Sequence, residues 1–143
     1  MKQFISRQQK IVAVCILQED NKVLLLRGSQ FADDENRISS TGYFDIPRFE
    51  IGFGEDPESM IKKRFSEYFN HLVVDVNVID VNQDIEDEKS VQIFEVIYSV
   101  HCDKTMTDKH KRGAFFFADI NTLNSYMLPH QHEYIAQYLR VSV

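Results

Sequence analysis

Residues 56–72 read DPESMIKKRFSEYFNHL, and Ile61, Phe65, Tyr68, Phe69 and Leu72 follow one another at spacings of four, three, one and three. That spacing gathers the apolar side chains into one stripe and predicts an amphipathic helix with Lys63, Arg64 and Glu67 off the stripe. Its start is written in the sequence. Asp56 is suited to accept hydrogen bonds from the first free amides, and Pro57 fits the first helical position, where no amide donor is needed. The helix is expected over about 57–70, bounded on both sides by segments of a different period. A fold for this chain must therefore pack a helix against strands.

The flanking segments supply those strands. Residues 11–17 and 23–26 are apolar runs on either side of QEDNK, and Asp20-Asn21 is turn chemistry, so a β-hairpin is expected. Residues 28–42 form a long polar connection bounded by glycines, a length that favours mobility or a role in covering a site. Residues 43–53 return to an aromatic and aliphatic texture around Pro47, as a strand or sheet edge does. Residues 73–81 alternate, and 91–100 make a second long strand, with NQDIEDEKS between them read as a solvated loop. Residues 114–117 form another short strand. Tyr134, Ile135, Tyr138 and Leu139 suit a terminal amphipathic helix. The order of strands, helix, strands and helix predicts an α+β domain on a mixed sheet.

Length and composition bound what this fold can do. The chain has 143 residues, 43% of them hydrophobic, which is one domain's worth and an ordinary globular balance; residues 1–143 are read as a single domain. Cys15 and Cys102 lie in apolar, strand-like segments without a short-spaced partner, as buried reduced thiols do, consistent with a cytoplasmic protein. The apolar run at 11–17 is too short to span a bilayer, so no membrane association is expected. A net charge of −6 argues against nucleic-acid binding, which needs a basic face. Lys62-Lys63-Arg64 persists as a local cluster within that acidic background, and a small anionic ligand is the partner it suits.

Other features carry less. His130 and His132 are two apart, do not share a helix face, and lack a completing zinc set. His101 beside Cys102 lacks convergent partners in the same way. Phe115-Phe116-Phe117 has the stacking chemistry of a base platform, but alternate members of a buried strand explain it more simply. Phe31 and Tyr43 flank the long connection and are candidates to cover a nucleoside. No Walker loop, dinucleotide fingerprint or Ser-His-Asp arrangement is present.

Pro47, then Gly54-Glu55 with Pro57, then an amphipathic helix between strands, together resemble the box of the Nudix hydrolase family. The hairpin ending VLLLRG and the late GAFFFADINTL extend the resemblance over roughly the whole chain. The family pattern is a glycine, five residues, a glutamate, seven residues, Arg-Glu, an aliphatic residue, one residue, Glu-Glu, one residue and a glycine. Anchored on Gly54-Glu55, Phe49 takes the first glycine position and Glu55 the first glutamate. Lys63 takes the arginine, Arg64 the adjacent glutamate and Phe65 the aliphatic residue. Glu67 keeps one glutamate of the terminal pair, Tyr68 replaces the other, and Asn70 replaces the closing glycine.

The resemblance implies a Nudix-like α/β/α sandwich on a mixed β-sheet. It also implies activity on a small-molecule nucleoside diphosphate derivative, with Glu67 and Glu55 as the catalytic candidates and Glu67 as a weak metal ligand. In the family a metal cluster polarises the diphosphate, and a late acid often assists; Asp108 is the one offered here. Mg²⁺ wants several oxygen ligands, and carboxylates at i, i+3 and i+4 of a helix converge on one face. Here those positions hold Arg64, Glu67 and Tyr68, so metal binding and hydrolysis are expected to be weak or lost. Two readings of the basic residues stay open. Lys63 and Arg64, with Arg27 and Arg48, suit binding of a diphosphate without cleavage, as a nucleotide-binding or sensing module would. The alternative is a solvated charged face in which Arg64 and Glu67 pair with each other, on a scaffold used for protein interaction. Oligomerisation is left open.

Overall fold

The computed structural model describes residues 8–27, 44–69, 73–86, 91–102 and 115–139. The whole 28–42 connection, with Phe31, and also Tyr43, Asn70 and Asp108 lie outside the described residues. The elements are β1 (Gln8–Ile16), β2 (Gln18–Glu19), β3 (Lys22–Arg27), β4 (Phe44–Asp45), β5 (Arg48–Ile51), α1 (Pro57–Phe69), β6 (Val73–Glu86), β7 (Val91–Cys102), β8 (Phe115–Asp119), a 3₁₀ helix (Ile120–Ser125) and α2 (Pro129–Ala136).

Two four-stranded sheets are formed. The first runs β5-β1-β7-β6, with β1 and β7 parallel and the outer pairs antiparallel, so it is mixed as expected. In the second, β3 pairs β8 along one side, and β2 and β4 along the other. Alternation sends Ala13, Cys15, Phe49, Tyr98 and Val100 to one face, where α1 contributes Met60, Ile61 and Phe65. Val14, Ile16, Ile46 and Ile97 go to the other face, under the 3₁₀ helix and α2 with Leu123 and Ile135. β3 divides likewise, Leu24 and Leu26 to the α1 side, Val23 and Leu25 to the α2 side. The result is an α/β/α sandwich.

The expected hairpin forms only next to its turn. Gln18 and Glu19 pair with Val23 and Lys22, and Asp20 takes a left-handed φ of 53°, a conformation Asp tolerates better than most residues. Upstream of Leu17 the chain leaves this sheet, and β1 pairs β5 and β7 instead. The chain changes sheet again at Ile46-Pro47, between β4 and β5. The two crossings are tied together by a hydrogen bond from the Cys15 amide to the Pro47 carbonyl at 2.9 Å. A proline fits here because its carbonyl is used and its missing donor is not needed. A second correction concerns NQDIEDEKS: residues 82–86 continue β6, paired with β7 as far as Glu86↔Val91. Hairpin pairing with β7 overrides their polarity.

α1 follows its sequence signals. Asp56 Oδ2 accepts from the Ser59 amide at 3.0 Å and the Ser59 hydroxyl at 2.7 Å, and Pro57 opens the helix. Those two bonds, the side-chain one first, hold the Asp56 carboxyl below the usual carboxylate range. Cys15 and Cys102 are both free thiols; Cys15 is buried, and burial pushes its pKa up. Among the described residues, no helix is long and apolar enough to cross a membrane.

Candidate functional site

The loop from Gly52 to Asp56 delivers the chain into α1. Gly54 has φ +82°, a left-handed conformation that side chains disfavour, and this lets the loop reverse. Glu55 closes it. Its amide donates to the Gly52 carbonyl at 3.0 Å, and its carboxylate accepts from the Gly52 amide at 2.7 Å. A Cβ at Gly52 would lie 2.4 Å from that carboxylate oxygen, so glycine is what permits the contact. One of the two expected catalytic acids therefore has an oxygen committed to pinning the loop.

Along α1, Lys62 pairs with Glu58 at 3.0 Å and Lys63 with Glu67 at 4.0 Å. Glu67 thus pairs with Lys63, four residues back, where the charged-face reading pairs it with Arg64. A helix offers both spacings; here Arg64 instead reaches over the Phe49 ring, 5.9 Å from guanidinium carbon to ring centroid. Phe49 in turn meets Phe65 edge-on, with ring centroids 6.1 Å apart. Phe49 is fully buried, and its ring is the surface over which Arg64 lies. Lys63 and Glu67 are 76% and 50% exposed, which makes their contact a loose surface pair that a stronger anion can displace. Tyr68 follows on the helix, its side chain outside the described residues.

Arg48 is elsewhere. It neighbours Phe49 on β5 and so points to the opposite face of the sheet. Its guanidinium pairs with Glu95 of β7 and with Asp45 (Nε–Oδ2 3.3 Å) and lies over the Tyr134 ring of α2 at 5.8 Å. Burial works against the charged guanidinium, but Asp45 and Glu95 outweigh it and hold its pKa above the ordinary value. The structure does not bring Arg48 together with Lys63 and Arg64. Arg27 ends β3 with Phe44 as its cross-strand partner, and its side chain lies outside the described residues.

The Arg48 cluster extends into a polar network that the sequence reading missed. Gln131 donates to Asp45 at 3.0 Å and accepts from the Leu128 amide at 3.3 Å, so it ties the start of α2 to β4. Asn82 of β6 donates to the Tyr134 and Tyr138 hydroxyls at 2.8 and 2.9 Å, and Tyr138 donates to Asp80 at 2.6 Å. The available signal was a charged residue, Glu95, in the middle of an apolar strand; Tyr134 and Tyr138 had been assigned to the apolar stripe.

The donor set can be tested against a divalent metal. Glu55 spends an oxygen on Gly52, Asp56 caps the helix, and Glu67 sits beside Lys63 with Arg64 a turn away. Among the described residues, no group of three His, Cys, Asp or Glu side chains converges on one point. Hard cations such as Mg²⁺ call for more oxygen ligands and fewer cations than this helix face supplies, so the residues present do not fit a tight Mg²⁺ site.

No family model matches the sequence, and no curated protein matches it. Solved structures do. A NUDIX hydrolase from Nitrosomonas europaea aligns over 92% of this chain and 88% of its own, with a TM-score of 0.66 at 12% identity. A MutT NUDIX hydrolase from Burkholderia pseudomallei aligns over 93% of this chain and 100% of its own, with a TM-score of 0.67 at 13% identity. A MutT protein from Bacillus halodurans aligns over 90% of this chain and 80% of its own, with a TM-score of 0.64 at 16% identity. At such identities the likeness is one of fold.

Proposed function

We propose that this chain uses the Nudix hydrolase fold to bind a nucleoside diphosphate derivative through cationic side chains, with metal-dependent hydrolysis weak or lost. The observation that carries this reading is the helix face itself, where Lys63 and Arg64 stand between the two retained acids, Glu55 and Glu67. A diphosphate offers several charged oxygens. Arg64, over the Phe49 ring, carries a planar fork of donors suited to such a group, and Lys63 adds a movable point charge. Arg27, at the end of β3, is a further candidate contact. Positive charge that a metal would otherwise bring is then supplied by the protein, which favours binding over polarisation of the bond to be broken.

The test is a melting-temperature screen of nucleoside diphosphate derivatives, run with and without Mg²⁺ or Mn²⁺. Stabilisation by a diphosphate compound without added metal, and without turnover, is the expected result. Robust metal-dependent turnover that Glu67→Gln abolishes would overturn it and restore the hydrolase reading. The net charge of −6 disfavours a nucleic-acid partner, and a cytoplasmic location is part of the same reading.

A further inference from the structure

α1 covers only part of the sheet face it lies on. Cross-strand partners share a face, so the register places Ile51, Ile11 and Phe94 in one row and Phe49, Ala13, Val96 and Val81 in the next, all on the α1 side. Val78, opposite Tyr98, belongs to the same face. Ala13, Phe49 and Tyr98 are buried, but Ile11 is 44% exposed, and Val78 and Val81 are each 57% exposed. Ile51, Phe94 and Val96 are half-buried. Phe53, in the loop that follows Ile51, is fully exposed. Parallel strands such as β1 and β7 are ordinarily covered on both faces, yet among the described residues Ile11, Phe94 and Val96 of this pair keep part of their surface uncovered, next to the exposed valines of the edge strand β6.

Its border is acidic. Glu55 and Asp56 are exposed and, among the described residues, neither is in a salt bridge; Lys62, whose charge acts on Asp56, is paired with Glu58. A second copy of the chain would bring a further net charge of −6 and no cation-rich edge to this border. The complement is an apolar surface with positive charge at its edge. Three inter-strand spacings make the strip roughly 14 Å wide, about nine residues of helix.

We propose that this half-face docks an amphipathic helix of a partner protein, apolar along one side and carrying Lys or Arg where it passes Glu55 and Asp56. The docked helix lies beside α1 and completes the layer that α1 begins, in the helix-in-groove manner. The exposed part of this face, Ile11, Val78 and Val81, includes neither Lys63 nor Arg64, so the proposal does not depend on the diphosphate reading.

The experiment uses the whole chain and two synthetic helical peptides with the same leucine face, one bearing lysines and the other glutamates on its flanks. Amide chemical shifts and fluorescence anisotropy are the readouts. The lysine peptide is expected to perturb residues around Ile11, Phe94 and Val81 and to bind at least about tenfold more tightly than the glutamate peptide. Val81→Lys, at an exposed position that tolerates lysine, should weaken it by about tenfold or more. Glu55→Gln with Asp56→Asn, which keeps both hydrogen-bond acceptors, should weaken it by about fivefold. Equal binding of the two peptides, shifts elsewhere on the molecule, or indifference to these substitutions would overturn the proposal. So would a dimer in sedimentation that Val81→Lys dissociates, since the face would then be covered by a second copy.

Discussion

The Arg48 guanidinium and the Glu95 carboxylate meet beneath α2, on the face of the sheet opposite the helix that carries Lys63, Arg64 and Glu67. Neighbouring strand residues, Arg48 and Phe49, thus serve different layers: one closes a charged network under α2, the other makes the shelf for Arg64. Arg48 is mostly buried, so removing it strands two acids, Glu95 and Asp45, in a poorly solvated place. Arg48→Ala is expected to destabilise the fold by about 3 kcal/mol in denaturant unfolding. Arg48→Met with Glu95→Leu should recover part of that loss, because only Asp45, which keeps its bond from Gln131, is then left without its cation. Equal destabilisation by the single and double variants would show that the pair is not the source.

The loop before α1 depends on two glycines for different reasons. Gly52→Ala forces the Glu55 carboxylate off the amide it accepts from, at a cost of about 1 kcal/mol, the worth of one hydrogen bond. Gly54→Ala meets no neighbour within 4 Å but must hold φ near +82°, which costs an L residue about 1–2 kcal/mol. The first loss should vanish in a Glu55→Ala background, and the second should persist there. Thermal melts of the four variants separate the two causes.

Acid and alkali should both act through Tyr138. Its hydroxyl bond holds the Asp80 carboxyl below the usual range, so that bond's stabilisation is present above the ordinary aspartate pKa and is lost as pH falls through the depressed value. The Tyr138 hydroxyl is pushed up to about 12, first by burial and then by Asp80. Its contribution is complete below the ordinary tyrosine pKa and is lost as pH rises from there towards about 12. Tyr138→Phe is expected to flatten both limbs of the stability profile, measured by urea midpoints across pH. Unchanged limbs would assign them to other groups.

Metal affinity offers a test of the helix register. Arg64→Glu with Tyr68→Glu would place carboxylates at i, i+3 and i+4 of α1 together with Glu67, the convergent arrangement that a divalent cation requires. Calorimetric titration with Mn²⁺ should detect binding in the double variant that is stronger by about tenfold than in the natural chain. No difference between the two would mean that these positions do not share a face with Glu67.

Much of this fold is legible from short range. The Asp56-Pro57 start, the stripe of Ile61 and Phe65, and the long strand at 91–100 depend on residues a few positions apart, and each is realised where the sequence places it. Where the chain switches sheets at Leu17 and at Ile46-Pro47 is a different matter, because both apolar runs read equally well as one continuous strand. The choice is made by β7, which pairs with β1 from some 80 residues away, and by β8, which takes the edge of β3.

The functional residues divide in the same way. That Lys63 and Arg64 flank Glu67 on one helix follows from helical spacing alone, and so does the crowding of charge that disfavours a metal. Which cation Glu67 meets, and that Arg48 faces α2 rather than α1, depends on how the layers stack. A strand's alternation tells which neighbours point apart but is blind to which side each helix will cover. That assignment rests on contacts such as Asp45 with Gln131, 86 residues distant, and on the burial that only the assembled sandwich creates.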